Sequence, residues 1–110
     1  MQNLHVEWSN CARDDLDDLV RYISRDSALY AQAFAERVVQ ASRRLQSFPH
    51  SGRTIPEAEN DSLREIIVQG YRLMYRIEVE RVLILAVMHG SRDLNNSNNQ
   101  PWSQPDNPAE

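Results

Sequence analysis

The stretch from Gly70 to Asp93, GYRLMYRIEVERVLILAVMHGSRD, decides how this chain folds. Its first half alternates: Tyr71, Leu73, Tyr75, Ile77 and Val79 fall on one side, and Arg72, Met74, Arg76 and Glu78 on the other. A period of two marks a strand buried on one face, so the side bearing the arginines is expected to stay open. Val82 to Met88 is apolar throughout, as expected of an inner strand covered on both faces. The run then gives way to His89, Ser91, Arg92 and Asp93, which puts a polar cluster at a strand end.

Upstream, Leu63 to Val68 reads as a strand joined to Tyr71–Val79 by a tight turn at Gln69-Gly70. Glu80-Arg81 separates the next pair without the Asn-Gly chemistry that two-residue turns prefer. At the other end, Leu4, Val6 and Trp8 alternate with His5 and Glu7, making residues 3–8 a first strand. Ser9 or Asn10 can cap a helix whose apolar stripe is Ala12, Leu16, Leu19, Val20 and Ile23. Asp14 and Asp15 suit its positive end, and with Asp17 and Asp18 they are expected to form a solvated face. Ser27 caps a second helix, predicted from Ala28 to Phe48, with Ala31, Phe34, Val38, Ala41, Leu45 and Phe48 along one side. The short link makes the two helices an antiparallel hairpin. Pro49 to Gly52 is a turn and residues 53–62 a loop. The predicted order is β-α-α-β-β-β, an α+β fold with a helical hairpin packed on one face of a small, mainly antiparallel sheet. Residues 1–94 form its one domain. Residues 95–110, rich in Asn and Pro with Trp102 as the one large apolar side chain, are expected to be a disordered polar tail.

At 110 residues with 41% apolar and 25% charged side chains, the composition is that of a globular domain with one modest core. Cys11 is the only cysteine, so no internal disulfide can form; a reducing cytosol fits, and the thiol is expected in the core. No segment is apolar and long enough to be a signal peptide or to span a bilayer. The net charge of −4 is uneven. Residues 1–26 carry six acids against three arginines, whereas residues 63–94 carry five arginines against four acids. All twelve cations are arginine, so no lysine is available as a general base or acid.

Arg72 and Arg76 are expected on the open sheet face, with Arg64 beside them if the register allows, and Arg92, His89 and Asp93 joining from the strand end. Guanidiniums gathered so would bind phosphate or an acidic peptide. Ion pairing with Glu65, Glu78 and Glu80 is the expected fate of Arg76 and Arg81, and anion contact that of Arg72 and Arg92. His89 is either a general base or a strand-end histidine bonded to backbone. No zinc spacing, phosphate loop, dinucleotide fingerprint or serine elbow is present, and no cofactor is expected.

The order Trp8, Ala12, Asp15-Leu16, Tyr22-Ile23, then Leu45, Pro49, Gly52-Arg53, Pro56-Glu57, Leu63-Arg64-Glu65-Ile66, YRLMYRI at 71–77 and VMHGSRD at 87–93 resembles the RelE/ParE toxin superfamily over about residues 3–94. The resemblance implies a cytoplasmic toxin of a type II toxin–antitoxin, plasmid-stabilisation module. Its partner would be a cognate antitoxin wrapping its surface in a hetero-oligomer, with no membrane involved. RelE-like members cut mRNA on the ribosome; ParE-like members poison DNA gyrase. Arg72 and Arg92 match the phosphate-binding arginines of the RelE-like pattern. Its strand lysines are replaced here around Leu63-Arg64-Glu65, and its catalytic tyrosine falls at Asn98. Tyr75 is expected to face the helices. The reading is therefore a ParE-like gyrase inhibitor in which Arg64, Arg72, Arg76, Arg92 and Asp93 bind the target. The alternative is a ribosome-dependent mRNA endoribonuclease in which His89, Arg92 and Arg72 are catalytic.

Overall fold

In the computed structural model, which describes residues 4–95 and 100–103, two serines start the two helices. Ser9 Oγ accepts from Ala12 N at 3.1 Å and Ser27 Oγ from Tyr30 N at 3.0 Å, each satisfying a donor that has no partner within its helix. They open α1 (Asn10–Ser24) and α2 (Ala28–Arg44). The strands are β1 (His5–Trp8), β2 (Arg53–Thr54), β3 (Leu63–Val68), β4 (Tyr71–Ile77) and β5 (Arg81–His89). They form one sheet in the order β1-β5-β4-β3-β2, antiparallel except where β1 runs parallel to β5. The expected α+β architecture is present, with β2 added at an edge within the stretch read as loop.

The β3–β4 hairpin turns at Gln69 and Gly70, whose φ values of 53° and 83° are those of a two-residue turn matching the twist of its strands. The β4–β5 connection is longer than predicted. Strand β4 ends at Ile77, Glu78 N donates to Arg81 O at 2.8 Å, and Val79 stands 90% exposed at the tip. Helix α2 stops at Arg44 rather than Phe48, because Leu45, Gln46 and Ser47 donate to carbonyls three residues back. That tightening buries Leu45 and lets Gln46 O accept from Leu4 N at 3.0 Å.

One face of the sheet takes the helical hairpin. Ala12, Ala31, Phe34, Val38 and Leu45 pack on Leu73, Tyr75, Val82, Ile84 and Val87. A bulge makes this set possible: the register passes from Met74↔Ala86 to Tyr75↔Ile84, leaving Leu85 over. The extra residue returns Val87 to the face of Val82 and Ile84, three positions on instead of two. Cys11, expected in this core, is exposed one position before the buried Ala12.

The other face, expected to be open, is covered. Ile55, Leu63, Met74, Leu83, Leu85 and Leu94 form a second cluster, with Ala58, Met88 and Trp102 against it. Within the stretch predicted to be a disordered tail, Pro101–Ser103 form a 3-10 turn with Pro101 buried, and Gln100 Nε2 donates to Leu94 O at 2.8 Å. Residues 96–99, including Asn98, and 104–110 lie outside the described residues.

Candidate functional site

Strand register separates the arginines that the sequence grouped. Arg64 pairs with Tyr75 and so lies on the helix side of the sheet, where Nη1 donates to Gly52 O at 3.0 Å and Nε to Asp61 O at 2.9 Å. It does not join Arg72. Arg76 pairs with Leu63 and Leu83, on the second face, and meets Glu78 at 3.0 Å. Arg81 bridges Glu78 and Glu7 at 2.6 Å each. Ion pairing was the expected fate of both.

Arg72 departs furthest from expectation. Its side chain is 4% exposed, buried on the second face rather than presented to solvent. Nε donates to Glu65 Oε1 at 2.6 Å, while Nη1 and Nη2 grip the two oxygens of Glu57 at 2.9 and 2.6 Å. Nη1 also donates to Arg92 O at 2.9 Å. Burial of a guanidinium is tolerated only when its donors and charge are met, and here two carboxylates and a carbonyl meet them. Glu65 is itself fully buried and takes Arg53 Nε at 2.7 Å on its other oxygen. The paired guanidinium holds the Glu57 carboxyl down at about 2, and Glu57 also accepts from Leu94 N. The chain Arg53–Glu65–Arg72–Glu57 thus ties β2, β3, β4 and the 55–58 loop to the arm that leaves β5.

Alternation along β4 could not reveal this, since it places Arg72 on a face without saying what covers that face. The sequence did carry one signal. Glu65 sits between Leu63 and Ile67 on the same side of β3, a carboxylate at a position whose neighbour Leu63 is core.

The strand end does bring the other predicted residues together. His89 is exposed, its ring edge-on to Tyr71 at 5.5 Å. Ser91 N donates to Nδ1 at 3.1 Å with Ser91 Oγ at 2.7 Å, so Nδ1 is the acceptor and the neutral ring carries its proton on Nε2. Of the two sequence readings of His89, the geometry is that of a strand-end ring bonded to backbone. Arg92 and Asp93 are exposed beside it. With Arg53, Glu57, Arg72 and Ser91 they line a shallow depression of about 340 Å³. Tyr75, by contrast, is fully buried: its hydroxyl donates to Pro49 O at 2.7 Å and accepts from Gly52 N at 3.0 Å. A Cβ on Gly52 would come within 2.5 Å of that oxygen, which fixes glycine there. Burial raises the Tyr75 phenol.

Asp15, expected on a solvated face, is instead half-buried and accepts from Val87 N at 3.1 Å. Desolvation raises its carboxyl to about 6 despite that hydrogen bond.

A second surface lies on the far side of the molecule. A groove of about 700 Å³ runs beside the edge strand β1, lined by Trp8, Arg13, Leu16, Val39 and Arg81 among others. It continues past Leu4, Ser42, Arg43 and Gln46. Among the described residues no cluster of His, Cys, Asp and Glu could hold a metal, and no helix is long and apolar enough to cross a membrane.

Comparison with known proteins places these features. Residues 6–94 match the family described as the ParE toxin of the type II toxin-antitoxin system, parDE. None of the curated protein sequences matches the chain. A solved structure, the chromosomal ParDE TA system from P. aeruginosa, has a chain that superposes with a TM-score of 0.65 at 19% identity. The match covers 78% of this chain and 95% of that one, a likeness of fold. With the family matched across the sheet, the hairpin and the strand-end cluster, the chain belongs to the ParE toxins of type II toxin–antitoxin systems, on the ParE-like branch of the RelE/ParE superfamily.

Proposed function

We propose that this toxin acts by binding DNA gyrase in the cytoplasm and that it cuts no RNA. The carrying observation is the commitment of Arg72: four donor contacts of its guanidinium are spent on Glu57, Glu65 and Arg92 O. Cleavage by 2′-hydroxyl attack needs a base, an acid and a cation at the scissile phosphate, the acid–base groups alone contributing about 10²–10⁴-fold. The strand end offers His89 and the exposed Arg92, while Tyr75 is spent on the Pro49–Gly52 turn. Arg92, Asp93 and His89 are better read as a contact surface for a protein target. The test is supercoiling by purified gyrase. Inhibition that Arg92→Ala weakens tenfold or more is expected, and an unaffected enzyme at micromolar toxin overturns the reading.

One observation favours the second reading, a ribosome-dependent mRNA endoribonuclease. The Ser91 contacts fix the His89 tautomer and leave Nε2 toward solvent, as a general acid–base group requires. Primer extension on translated mRNA decides it: cuts abolished by His89→Ala support a nuclease, and their absence removes that role.

The cognate antitoxin fits the other surface. The groove beside β1 offers Trp8, Leu16 and Val39, with Arg13 and Arg43 as well as Glu7 and Asp17 along its lining. An amphipathic segment with apolar anchors and flanks of both charge signs suits it. Val39→Glu is expected to weaken antitoxin capture while sparing growth inhibition.

A further inference from the structure

Strand β5 outlasts its neighbour. Pairing with β1 ends at Trp8↔Ile84, yet β5 continues to His89 and then delivers Arg92. The bare edge beyond Ile84 is completed by the backbone and side chain of the N-cap Ser9 and by Asp15 of α1. Ser9 N donates to Ile84 O at 3.0 Å, Ser9 Oγ to Leu85 O at 3.4 Å, and the Asp15 carboxylate accepts from Val87 N at 3.1 Å. These contacts, to Ile84, Leu85 and Val87, bracket the bulge at Leu85, where the ladder is interrupted. Asp15 and Arg92 also line one cleft of about 260 Å³, with Cys11, Leu85, Met88 and Pro101.

We infer that Asp15 is a positioning residue, which clasps the unpaired edge of β5 and holds the Arg92 arm in place through hydrogen bond and charge. The inference rests on the reading of Arg92 as a target contact. It acts on that reading through geometry: Val87 is two residues before His89 and five before Arg92, so loss of the clasp loosens the strand end that carries both. The charged groups facing Asp15 are Arg92 from the arm, which favours its ionised form, and Asp14 and Asp18 from its own helix, with Asp18 and Asp14 opposing it. Cys11 completes the titratable lining. The balance makes the clasp proton-sensitive. With the carboxyl raised to about 6, the charge that Arg92 meets across the cleft changes between about pH 5 and 7, whereas an acceptor oxygen for Val87 remains in both states.

The test is a pH titration of the full chain by NMR, following the Val87 amide and the Arg92 Nε–H in the wild type, Asp15→Asn and Asp15→Ala. Both wild-type signals are expected to move with one midpoint near 6. In Asp15→Asn both are expected to stay flat, with Val87 still protected from exchange. In Asp15→Ala, Val87 protection is expected to fall at least tenfold. A wild-type Arg92 signal that ignores the Val87 titration, or full Val87 protection in Asp15→Ala, overturns the inference. Growth inhibition supplies the second arm, with Asp15→Asn expected within about threefold of wild type and Asp15→Ala at least tenfold weaker. If Arg92→Ala leaves growth inhibition intact, the reading of Arg92 as a contact fails, while the NMR arm still judges the clasp by itself.

Discussion

On one face of the sheet, Phe34, Val38 and Leu45 from the helical hairpin meet Leu73, Tyr75 and Ile84. On the other, a loop and the C-terminal arm bring Ile55, Leu94 and Trp102 over Leu63, Met74 and Leu83. The first face is closed by two long elements whose apolar stripes are continuous, so burial of ordinary hydrocarbon suffices. The second is closed by pieces too short to carry a stripe. They are held by charge: Glu57 and the Arg92 carbonyl both terminate on Arg72. The difference teaches that the arginines of this chain divide by depth. Arg72 builds the scaffold that carries the strand-end surface, and Arg92 is displayed on it.

The comparison breaks most severely at Glu65. Glu65→Ala removes a fully buried carboxylate from between Arg53 and Arg72 and is expected to cost about 3 kcal/mol, because it leaves the buried Arg72 Nε–H without its charged acceptor while Glu57 holds the rest of the guanidinium. Urea unfolding measures it. A loss below about 1 kcal/mol would show the second face closing without its ion network. Tyr75→Phe probes the same balance on the helix side. It leaves Pro49 O and Gly52 N without their partner and is expected to cost about 1–3 kcal/mol by the same measurement. Smaller again is Trp102→Ala, expected to cost about 1 kcal/mol since the ring is only partly buried. An unchanged midpoint would show the arm resting on the second face without stabilising it.

Two further effects separate the faces by pH. Glu57, lowered from 4.5 to about 2, contributes stability that is present above pH 4.5 and lost as the pH falls toward 2. Asp15, raised from 3.8 to about 6, works in the opposite sense: the folded state holds the proton more tightly, so stability falls as the pH rises from 3.8 to 6. Asp15→Asn is therefore expected to flatten the decline between pH 4 and 6, and Glu57→Gln to remove part of the acid loss below 4.5. Thermal melts at half-unit pH steps read both. Equal slopes in wild type and Asp15→Asn would place that carboxylate in solvent-like surroundings.

Local pattern made much of the fold legible. Serines at 9 and 27, stripes of period 3.6 and alternation along β4 gave two helices and the central hairpin in their order. The strand-end cluster was legible too, because an apolar run must end where its cover ends. Arg72 was misread because alternation assigns a side, and the cover on that side comes from residues fourteen or more positions away, at 55–58, at Leu94 and at Trp102. The place of Arg64 hung on the register for a related reason: only the β3–β4 pairing, Arg64 opposite Tyr75, says which face it takes.

The sequence by itself determined the helical hairpin, the antiparallel strands and the placing of His89, Ser91, Arg92 and Asp93 at a strand end. It could do so because hydrophobic period and capping are properties of neighbouring residues. Only the tertiary structure decided which cations remain on the surface. A charge is buried or displayed according to the carboxylates that distant segments bring to it, and for Arg72 those are Glu57 and Glu65.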